Sequence, residues 1–290
     1  MSAILKRIDA YERLMRLDRP IGILLLLWPT LWALWLAVGG VPHWKLLWIF
    51  ILGTVLMRSA GCAVNDFVDR RFDARVERTR GRPLATGEIQ PWEALAVAGS
   101  LALAAFALVS QLNAATVKLS FAALALAVIY PFTKRFFWMP QAWLGVAFGF
   151  GIPMAFAAVR GGVPPLGWAM LGAHVLWTIA YDTEYAMVDR DDDRRLGIRT
   201  SAILFGRFDV AAVMACYALF LGAMAAIGRW QHFGASYYAG LAVAAAIATY
   251  HYALIRTRTR AGCFKAFLHN NWIGAAIFAG VAADLWVRSN

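Results

Sequence analysis

The sequence predicts an all-helical, polytopic membrane protein with about nine transmembrane helices, arranged as two related four-helix halves plus a final helix. The chain of 290 residues is 61% hydrophobic and only 16% charged, and its mean hydropathy is +0.59. This composition excludes an ordinary water-soluble domain and a disordered chain. Long apolar stretches recur from one end to the other, and about 20 apolar residues in a helix span the ~30 Å hydrocarbon layer of a bilayer.

Nine stretches qualify as predicted spans. They cover residues 20–44, 44–64, 94–117, 119–133, 136–159, 161–181, 210–228, 230–255 and 266–283. The second is interrupted by Arg58, and the fourth is short unless it includes residues before Lys118. Charged, amphipathic sequence precedes the first span and no convincing cleavage site follows it, so we expect a retained helix.

The basic residues divide unevenly between the two sides of the predicted membrane. Of the 28 Lys and Arg, 22 fall in the amino-terminal segment and in the loops after spans two, four, six and eight. The positive-inside rule places these segments in the cytoplasm, with the amino terminus inside and the carboxyl terminus outside. The formal net charge of +11 is then explained by anionic lipid headgroups, and we expect no nucleic-acid partner.

The acidic residues form two matched groups, after the second and the sixth span. The first group contains Asn65, Asp69 and Asp73 at i, i+4 and i+8, and the second contains Asp182, Asp189 and Asp193 at i, i+7 and i+11. Each set lines one face of a continuing helix. The pairs Asp69/Asp73 and Asp189/Asp193 share a four-residue spacing and lie 120 positions apart. This offset predicts two related halves, roughly 20–135 and 138–260, within a single membrane domain over 1–290.

Carboxylates in such clusters repel one another, and an Asp at hydrocarbon depth costs ~2.5 to 3.5 kcal/mol on insertion scales. A single acidic residue in a cytoplasmic loop is ordinarily solvated and paired with neighbouring arginines, as expected for Glu77, Glu88, Glu93 and Asp209. Two matched clusters instead indicate bound divalent cations. Mg²⁺ is usually held by one or two carboxylates together with phosphate oxygens. The clusters therefore predict two Mg²⁺ ions with a diphosphate between them.

Three basic residues are predicted to face this site. Lys134 and Arg135, in the loop after the fourth span, would supply counter-charge to the diphosphate. Arg58 precedes Asn65 by seven residues and shares its helix face. An arginine within a membrane span is unfavourable unless it meets an anion, so we expect Arg58 to face a substrate.

These motifs resemble those of the UbiA superfamily of intramembrane aromatic prenyltransferases. The superfamily pattern NDxxDxxxD is complete as Asn65, Asp66, Asp69 and Asp73, and the pattern DxxxD is present as Asp189 and Asp193. The segments at 130–135 (YPFTKR) and 197–202 (GIRTSA) also match. The sequence at residues 16–22, 58–66 and 182–193 is most similar to that of the bacterial 4-hydroxybenzoate polyprenyltransferase branch. The resemblance covers nearly the whole chain.

The resemblance implies a Mg²⁺-dependent enzyme of the bacterial inner membrane with its active site on the cytoplasmic side. Its substrates would be a polyprenyl diphosphate and 4-hydroxybenzoate. The prenyl chain would be moved to the ring carbon ortho to the phenol hydroxyl, with release of diphosphate, as a step of ubiquinone synthesis. The surrounding partner would be membrane lipid.

The resemblance also implies roles for individual residues. Asn65, Asp69 and Asp73 would bind one Mg²⁺, and Asp189 and Asp193 would bind the other. The remaining positions would contact substrate: Lys134 and Arg135 at the diphosphate, Tyr130 near it, and Arg16 or Arg58 at the diphosphate or at the carboxylate of the acceptor. Asp66 and Asp182 would be ligands or neighbours of the ligands, and one of the carboxylates would accept the ring proton.

Two alternatives stay open on the sequence alone. A sibling enzyme could use another acceptor, of the haem, chlorophyll or naphthoate type. A secondary transporter also combines repeated halves with charges inside the membrane. Transporter sites tend to lie at the bilayer midplane, however, whereas both acidic motifs lie at predicted cytoplasmic helix ends.

Overall fold

The computed structural model describes residues 3–289, and within that range it contains helices and no strand. The helices, in chain order, are α1 (Ala3–Met15), α2 (Ile21–Val38), α3 (Trp44–Asp73), α4 (Pro83–Thr86), α5 (Pro91–Val109), α6 (Ala114–Phe136), α7 (Pro140–Gly149), α8 (Gly151–Arg160), α9 (Pro165–Val188), α10 (Arg190–Leu196), α11 (Ser201–Phe205), α12 (Asp209–Trp230), α13 (Ala235–Ile255) and α14 (Arg260–Ser289). A single 3-10 turn, Gly206–Phe208, separates α11 from α12.

The predicted membrane helices are confirmed. Eight stretches of the described chain are long and apolar enough to cross a bilayer, and α9 forms at the position of the remaining predicted span. The fourth span does include residues before Lys118, because α6 begins at Ala114. The division into two related halves stays a prediction.

The fifth predicted span is not one continuous helix. It is broken at Phe150 into α7 and α8. Glycines flank the break at close contacts: a Cβ on Gly149 would lie 2.4 Å from the ring of His174, and one on Gly151 would lie 2.3 Å from the hydroxyl of Thr30. The bend therefore lets this segment fit between α9 and α2, with no room for larger side chains.

The core is built around α9, which packs against α7, α12 and α14. The ring of Trp177, on α9, lies 5.6 Å from that of Phe220 on α12 and 5.4 Å from that of Trp32 on α2. All three side chains are buried. Burial of large aromatic side chains and their tilted or offset contacts stabilise this junction of three helices.

The outer surface is apolar, as expected of a surface that contacts lipid. Five of the exposed tryptophans lie at or near the ends of long helices: Trp44, Trp92, Trp168, Trp230 and Trp286. Tryptophan is enriched at the boundary between hydrocarbon and headgroups, where its amphipathic ring is stable. The helix ends therefore coincide with the expected membrane interfaces.

Helix α1 precedes the first span and docks on the start of α5. Its inner face places Leu14 against α3 and α4, and Arg7 and Arg13 form ion pairs with Glu93 and Glu88. Glu93 is paired with an arginine as predicted, but the prediction that it is solvated is wrong, because its side chain is only 8% exposed. It also accepts a hydrogen bond from the Gln90 amide and so caps the first turn of α5.

Candidate active site

A single large cavity, of about 1050 Å³, brings both acidic motifs together. It is enclosed mainly by α2, α3, α5, α6, α7 and α9 and by the segments that follow α3 and α10. One end carries the charged residues and the remainder is largely apolar. The apolar part extends to Leu103, Phe106 and Phe121, which are 71%, 41% and 57% exposed on the outer surface. The cavity therefore reaches the lipid-facing surface between α5 and α6.

The first motif lies on the last three turns of α3. Asn65, Asp69 and Asp73 line the cavity as a row along one helix face, as their spacing of four residues requires. Asp66 also lines the cavity and is almost completely buried. The sequence forms a helix here because apolar positions continue through the motif, and α3 ends directly after Asp73.

The second motif does not continue one helix, contrary to the expectation from its spacing. The α9 backbone departs from helical geometry at Asp189, and α10 begins at Arg190. The run of Asp191, Asp192 and Asp193 falls in the first turn of α10, where negative charge is favourable next to the helix N-terminus. The break still leaves Asp182, Asp189 and Asp193 lining the cavity.

Basic side chains neutralise four of these carboxylates. The N···O distances are 2.8 Å for Lys134–Asp69, 2.7 Å for Arg82–Asp73, and 2.9 and 3.0 Å for Arg16–Asp66 and Arg82–Asp66. Arg78 holds both oxygens of Asp189 through its Nε, at 3.1 and 2.9 Å, and it also contacts the hydroxyl of Tyr185. Asp182 and Asp193 form no ion pair within 4.0 Å in the described chain.

Burial and charge act together on the groups outside the membrane-spanning helices. Burial alone would lower the pKa of Arg82, but Asp66 and Asp73 raise it above its ordinary value. Burial raises the pKa of the Asp193 carboxyl to about 7, and the nearby charge of Asp189 adds to this effect. The charged form of Asp193 is thus the one that needs a cation, and an arriving divalent ion would favour it.

The donor set fits magnesium. It consists of carboxylates and the amide oxygen of Asn65, which are the hard oxygen ligands that Mg²⁺ prefers. Across residues 3–289, no three Asp, Glu, His or Cys side chains converge closely enough to hold a metal ion by themselves. This agrees with the usual Mg²⁺ site, which has one or two protein carboxylates and takes its other ligands from water and substrate phosphate.

The charged and polar residues that line the cavity lie in two layers, at different depths along the helix axes. Arg58 lies seven residues before Asn65 on α3, and Asp182 lies seven residues before Asp189 on α9, so both are about 10 Å deeper than the motifs. Tyr130 lies one turn before Lys134 on α6, with its ring centre 5.5 Å from the ammonium group. All of these residues line the cavity.

Arg58 is the unpaired cation of the deeper layer. Its guanidinium contacts the Cys62 thiol and lies 5.5 Å from the ring of Phe148. Its Nε is buried without a hydrogen-bond partner, and among the described residues it has no acidic partner within 4.0 Å. This geometry leaves Arg58 free to bind an anion that enters the cavity.

Arg135 does not line the cavity, although it was predicted beside Lys134. Consecutive helical residues point about 100° apart, so Lys134 faces Asp69 while Arg135 turns outward. Arg135 donates a hydrogen bond of 3.2 Å to the Val68 carbonyl and lies over the rings of Phe72 and Phe132. Its contacts attach α6 to α3.

Sequence reasoning missed the individual roles of Arg78, Arg82 and Tyr185. The two arginines belong to a segment, residues 70–82, that carries six arginines, and no spacing distinguishes these two half-buried arginines from the others. Tyr185 lies between Asp182 and Asp189 on the same helix, and its ring is 4.4 Å from the Arg78 guanidinium. That position, one turn after Asp182, is the only signal that could have identified it.

Comparison with known proteins gives a consistent result. Residues 26–273 match the model of the UbiA prenyltransferase family. The 4-hydroxybenzoate octaprenyltransferase of Nitrosospira multiformis is 63% identical over 284 residues, covering 98% of each chain. The enzyme of the same name from Azoarcus sp. is 64% identical over 278 residues, covering 96% of this chain and 97% of that one.

Solved structures share the fold. A UbiA homolog from Aeropyrum pernix K1 is 26% identical and superposes with a TM-score of 0.80 over 91% of this chain and 97% of its own. A UbiA homolog from Archaeoglobus fulgidus bound to GPP and Mg²⁺ superposes with a TM-score of 0.67 over 94% of this chain and 99% of its own. At 17% identity the second comparison supports the fold alone.

Proposed function

Because this chain belongs to the UbiA prenyltransferase family, we propose that it transfers a polyprenyl group from polyprenyl diphosphate to the ring carbon of 4-hydroxybenzoate ortho to the hydroxyl. In this reaction the allylic C–O bond of the donor breaks, a C–C bond to the ring forms, and diphosphate and the ring proton leave. The observation that carries the proposal is the convergence of both acidic motifs on one cavity that continues to the lipid surface. The names of the near-full-length relatives support the donor and the acceptor, and the resemblance places the reaction in ubiquinone synthesis.

The charged end of the cavity is the proposed diphosphate site. Asn65, Asp69 and Asp73 on one side, and Asp189 and Asp193 on the other, would hold Mg²⁺ there, and the metal would neutralise the charge that develops on the departing diphosphate. Lys134, Arg78 and Arg82 now pair with these carboxylates. When the carboxylates turn toward metal, the released cations can turn toward phosphate oxygens. Binding is therefore an exchange of ion-pair partners, in which little charge is left unpaired at any stage.

The apolar part of the cavity is the proposed prenyl site. Side chains such as Phe50, Val109 and Phe106 can contact the hydrocarbon chain, and the opening between α5 and α6 lets its far end remain in lipid. Little water reaches such a cavity, so the allylic cation left by C–O cleavage is captured by the aromatic ring before it is hydrolysed.

The deeper layer is the proposed acceptor site. Arg58 would bind the benzoate carboxylate, because its side chain is half-buried, its Nε has no hydrogen-bond partner, and no acidic side chain lies within 4.0 Å of it in the described range. Asp182 lines the same layer and has no ion-pair partner within 4.0 Å in the described range, which supports it as the base that accepts the ring proton. Tyr130 lies between the two layers, beside Lys134.

The first test is product analysis with a panel of acceptors, using purified protein, octaprenyl or shorter prenyl diphosphate, and Mg²⁺. We expect 3-prenyl-4-hydroxybenzoate as the main product and at least a 100-fold loss of activity in Asp69→Ala and Asp189→Ala, because each change removes a proposed ligand of the cation that would neutralise the departing diphosphate. Asp191→Ala is the matched control, since Asp191 is exposed on α10 and does not line the cavity. Product formed only with a naphthoate, haem or chlorophyll acceptor would reject 4-hydroxybenzoate.

Lys134 and Arg135 form a matched pair for testing the diphosphate site. We expect Lys134→Ala to lower kcat/KM for prenyl diphosphate about 100-fold, since a charge-assisted contact to a buried anion is worth ~1.5–3 kcal/mol. Arg135→Ala should change it less than about threefold, because that side chain lies outside the cavity. Equal effects of the two substitutions in steady-state kinetics would contradict this assignment.

The substrate that Arg58 contacts can be identified from the KM that its substitution changes. We expect Arg58→Gln to raise the KM for 4-hydroxybenzoate at least tenfold, because a buried carboxylate loses its charged partner. The KM for prenyl diphosphate should stay within about threefold. The opposite pattern, with only the prenyl diphosphate KM raised, would assign Arg58 to the diphosphate.

The proposed orientation has the amino terminus and the acidic motifs in the cytoplasm of a bacterial cell, at the inner membrane. It is supported by the excess of basic residues in the loops at that end of the helices. Cysteines introduced at Arg75 and Gly162 probe opposite ends of the fold, and both positions are exposed. In intact spheroplasts a membrane-impermeant maleimide should label position 162, and position 75 only after lysis; the reverse pattern would invert the topology.

A further inference from the structure

Two arginines where α13 is joined to α14, Arg258 in the loop and Arg260 at the start of α14, contact segments in or next to the acidic motifs. Arg258 adopts a left-handed backbone conformation, with φ of 55°, which is uncommon for a residue with a side chain. Such a conformation persists where surrounding contacts fix it, and Arg258 has these contacts. Its Nε and Nη2 lie 2.9 and 2.8 Å from Oδ1 of Asp209, and Nη2 also donates to the Arg207 carbonyl.

Asp209 was expected to be solvated and paired with arginines; the pairing is present, but the expected solvation is wrong. Its side chain is 0% exposed, at the first residue of α12. Its second oxygen lies 2.9 Å from Nη1 of Arg190, which is the residue directly after Asp189. Arg190 also donates to the carbonyls of Ala202 and Gly206. The carboxylate of Asp209 thus joins the start of α10 to the loop before α14.

Arg260, the first residue of α14, makes the second connection. Its Nη1 lies 2.8 Å from Glu77, four residues after Asp73, and its Nη2 lies 3.5 Å from Asp192 on α10. One guanidinium therefore bridges the segment that follows the first acidic motif and a residue inside the second motif. These pairs are more exposed than the Asp209 pair, so they should contribute less.

We propose that Arg258 and Arg260, which we call the arginine clasp, are positioning residues that fix α10 and so set the distance between the two acidic motifs. The α9 helix is interrupted at Asp189, so helix continuity does not determine where Asp193 points. Contacts from outside α10 must do so, and the clasp supplies them from the last helix of the fold. Its value to catalysis rests on the proposed function, in which the carboxylates of both motifs would have to be held at a suitable separation to bind Mg²⁺ and one diphosphate together.

The direct test measures the distance between the motif segments in full-length protein. Spin labels at Arg75→Cys and Asp191→Cys, both exposed positions, would be introduced after the native Cys62, Cys216 and Cys263 are replaced by alanine. Pulsed electron resonance should show a broader distance distribution in Arg258→Ala than in the parent. Arg260→Ala should show a smaller change of the same kind.

Arg288→Ala is the matched control. Arg288 is 36% exposed and pairs with the buried Asp284 at the other end of α14, whereas Arg258 is 40% exposed and pairs with the buried Asp209. The control should leave the distribution unchanged. Identical distributions in the parent, Arg258→Ala and Arg260→Ala would overturn the clasp. If Arg258→Ala fails to fold, Arg258→Lys and Arg260→Ala decide the question, since Lys keeps the charge and Arg260 is exposed.

A second readout separates the clasp from the proposed function. Titration calorimetry with Mg²⁺ and inorganic diphosphate should show about tenfold weaker binding in Arg258→Ala, about two- to threefold weaker binding in Arg260→Ala, and parent-like binding in Arg288→Ala. Arg258→Lys should recover part of the loss. Broadened distances in a protein whose parent form binds no Mg²⁺ and diphosphate would support the clasp and count against the proposed metal site. Unchanged distances with normal binding in the parent would reject the clasp alone.

Discussion

The mutual neutralisation of carboxylates and basic side chains at one end of the cavity is the constraint on which the rest of the structure depends. Acidic side chains this close together, and this poorly hydrated, would repel one another without compensating charge. Lys134, Arg82 and Arg78 supply that charge from α6 and from the loop after α3. The fold therefore has to bring these segments to one place, and the same basic side chains that neutralise the carboxylates would be available to the proposed diphosphate.

Much of this arrangement could be predicted from the sequence. The long apolar stretches located the membrane helices. The spacing of Asn65, Asp69 and Asp73 placed them on one helix face, because a helix repeats every 3.6 residues. The orientation of Lys134 and Arg135 could not be assigned, since neighbouring residues in a helix differ in direction and only packing decides which one faces inward. Asp209 was missed for a related reason: its partners, Arg190 and Arg258, come from distant parts of the chain.

The break at Asp189 illustrates how local and tertiary effects compete. The spacing of the second motif is compatible with one long helix, but three consecutive aspartates after Arg190 are more stable in the first turn of a new helix than in the middle of an old one. The break allows Asp189 to meet Arg78 while Arg190 turns toward Asp209. The second motif is continuous in sequence, but the residues at its break are fixed by different partners: Asp189 by Arg78, and Arg190 by Asp209.

Through the opening between α5 and α6, hydrophobic ligands of this protein can reach the cavity from the bilayer instead of from water. A long isoprenoid that enters through a side wall never has to leave the lipid phase, and a product carrying the same tail can depart by the same route. Occupancy of the site then follows the mole fraction of these molecules in the membrane instead of their amount per volume of water. Adding phospholipid at a fixed amount of prenyl ligand therefore lowers the saturation of the binding site, just as adding buffer does for a water-soluble enzyme.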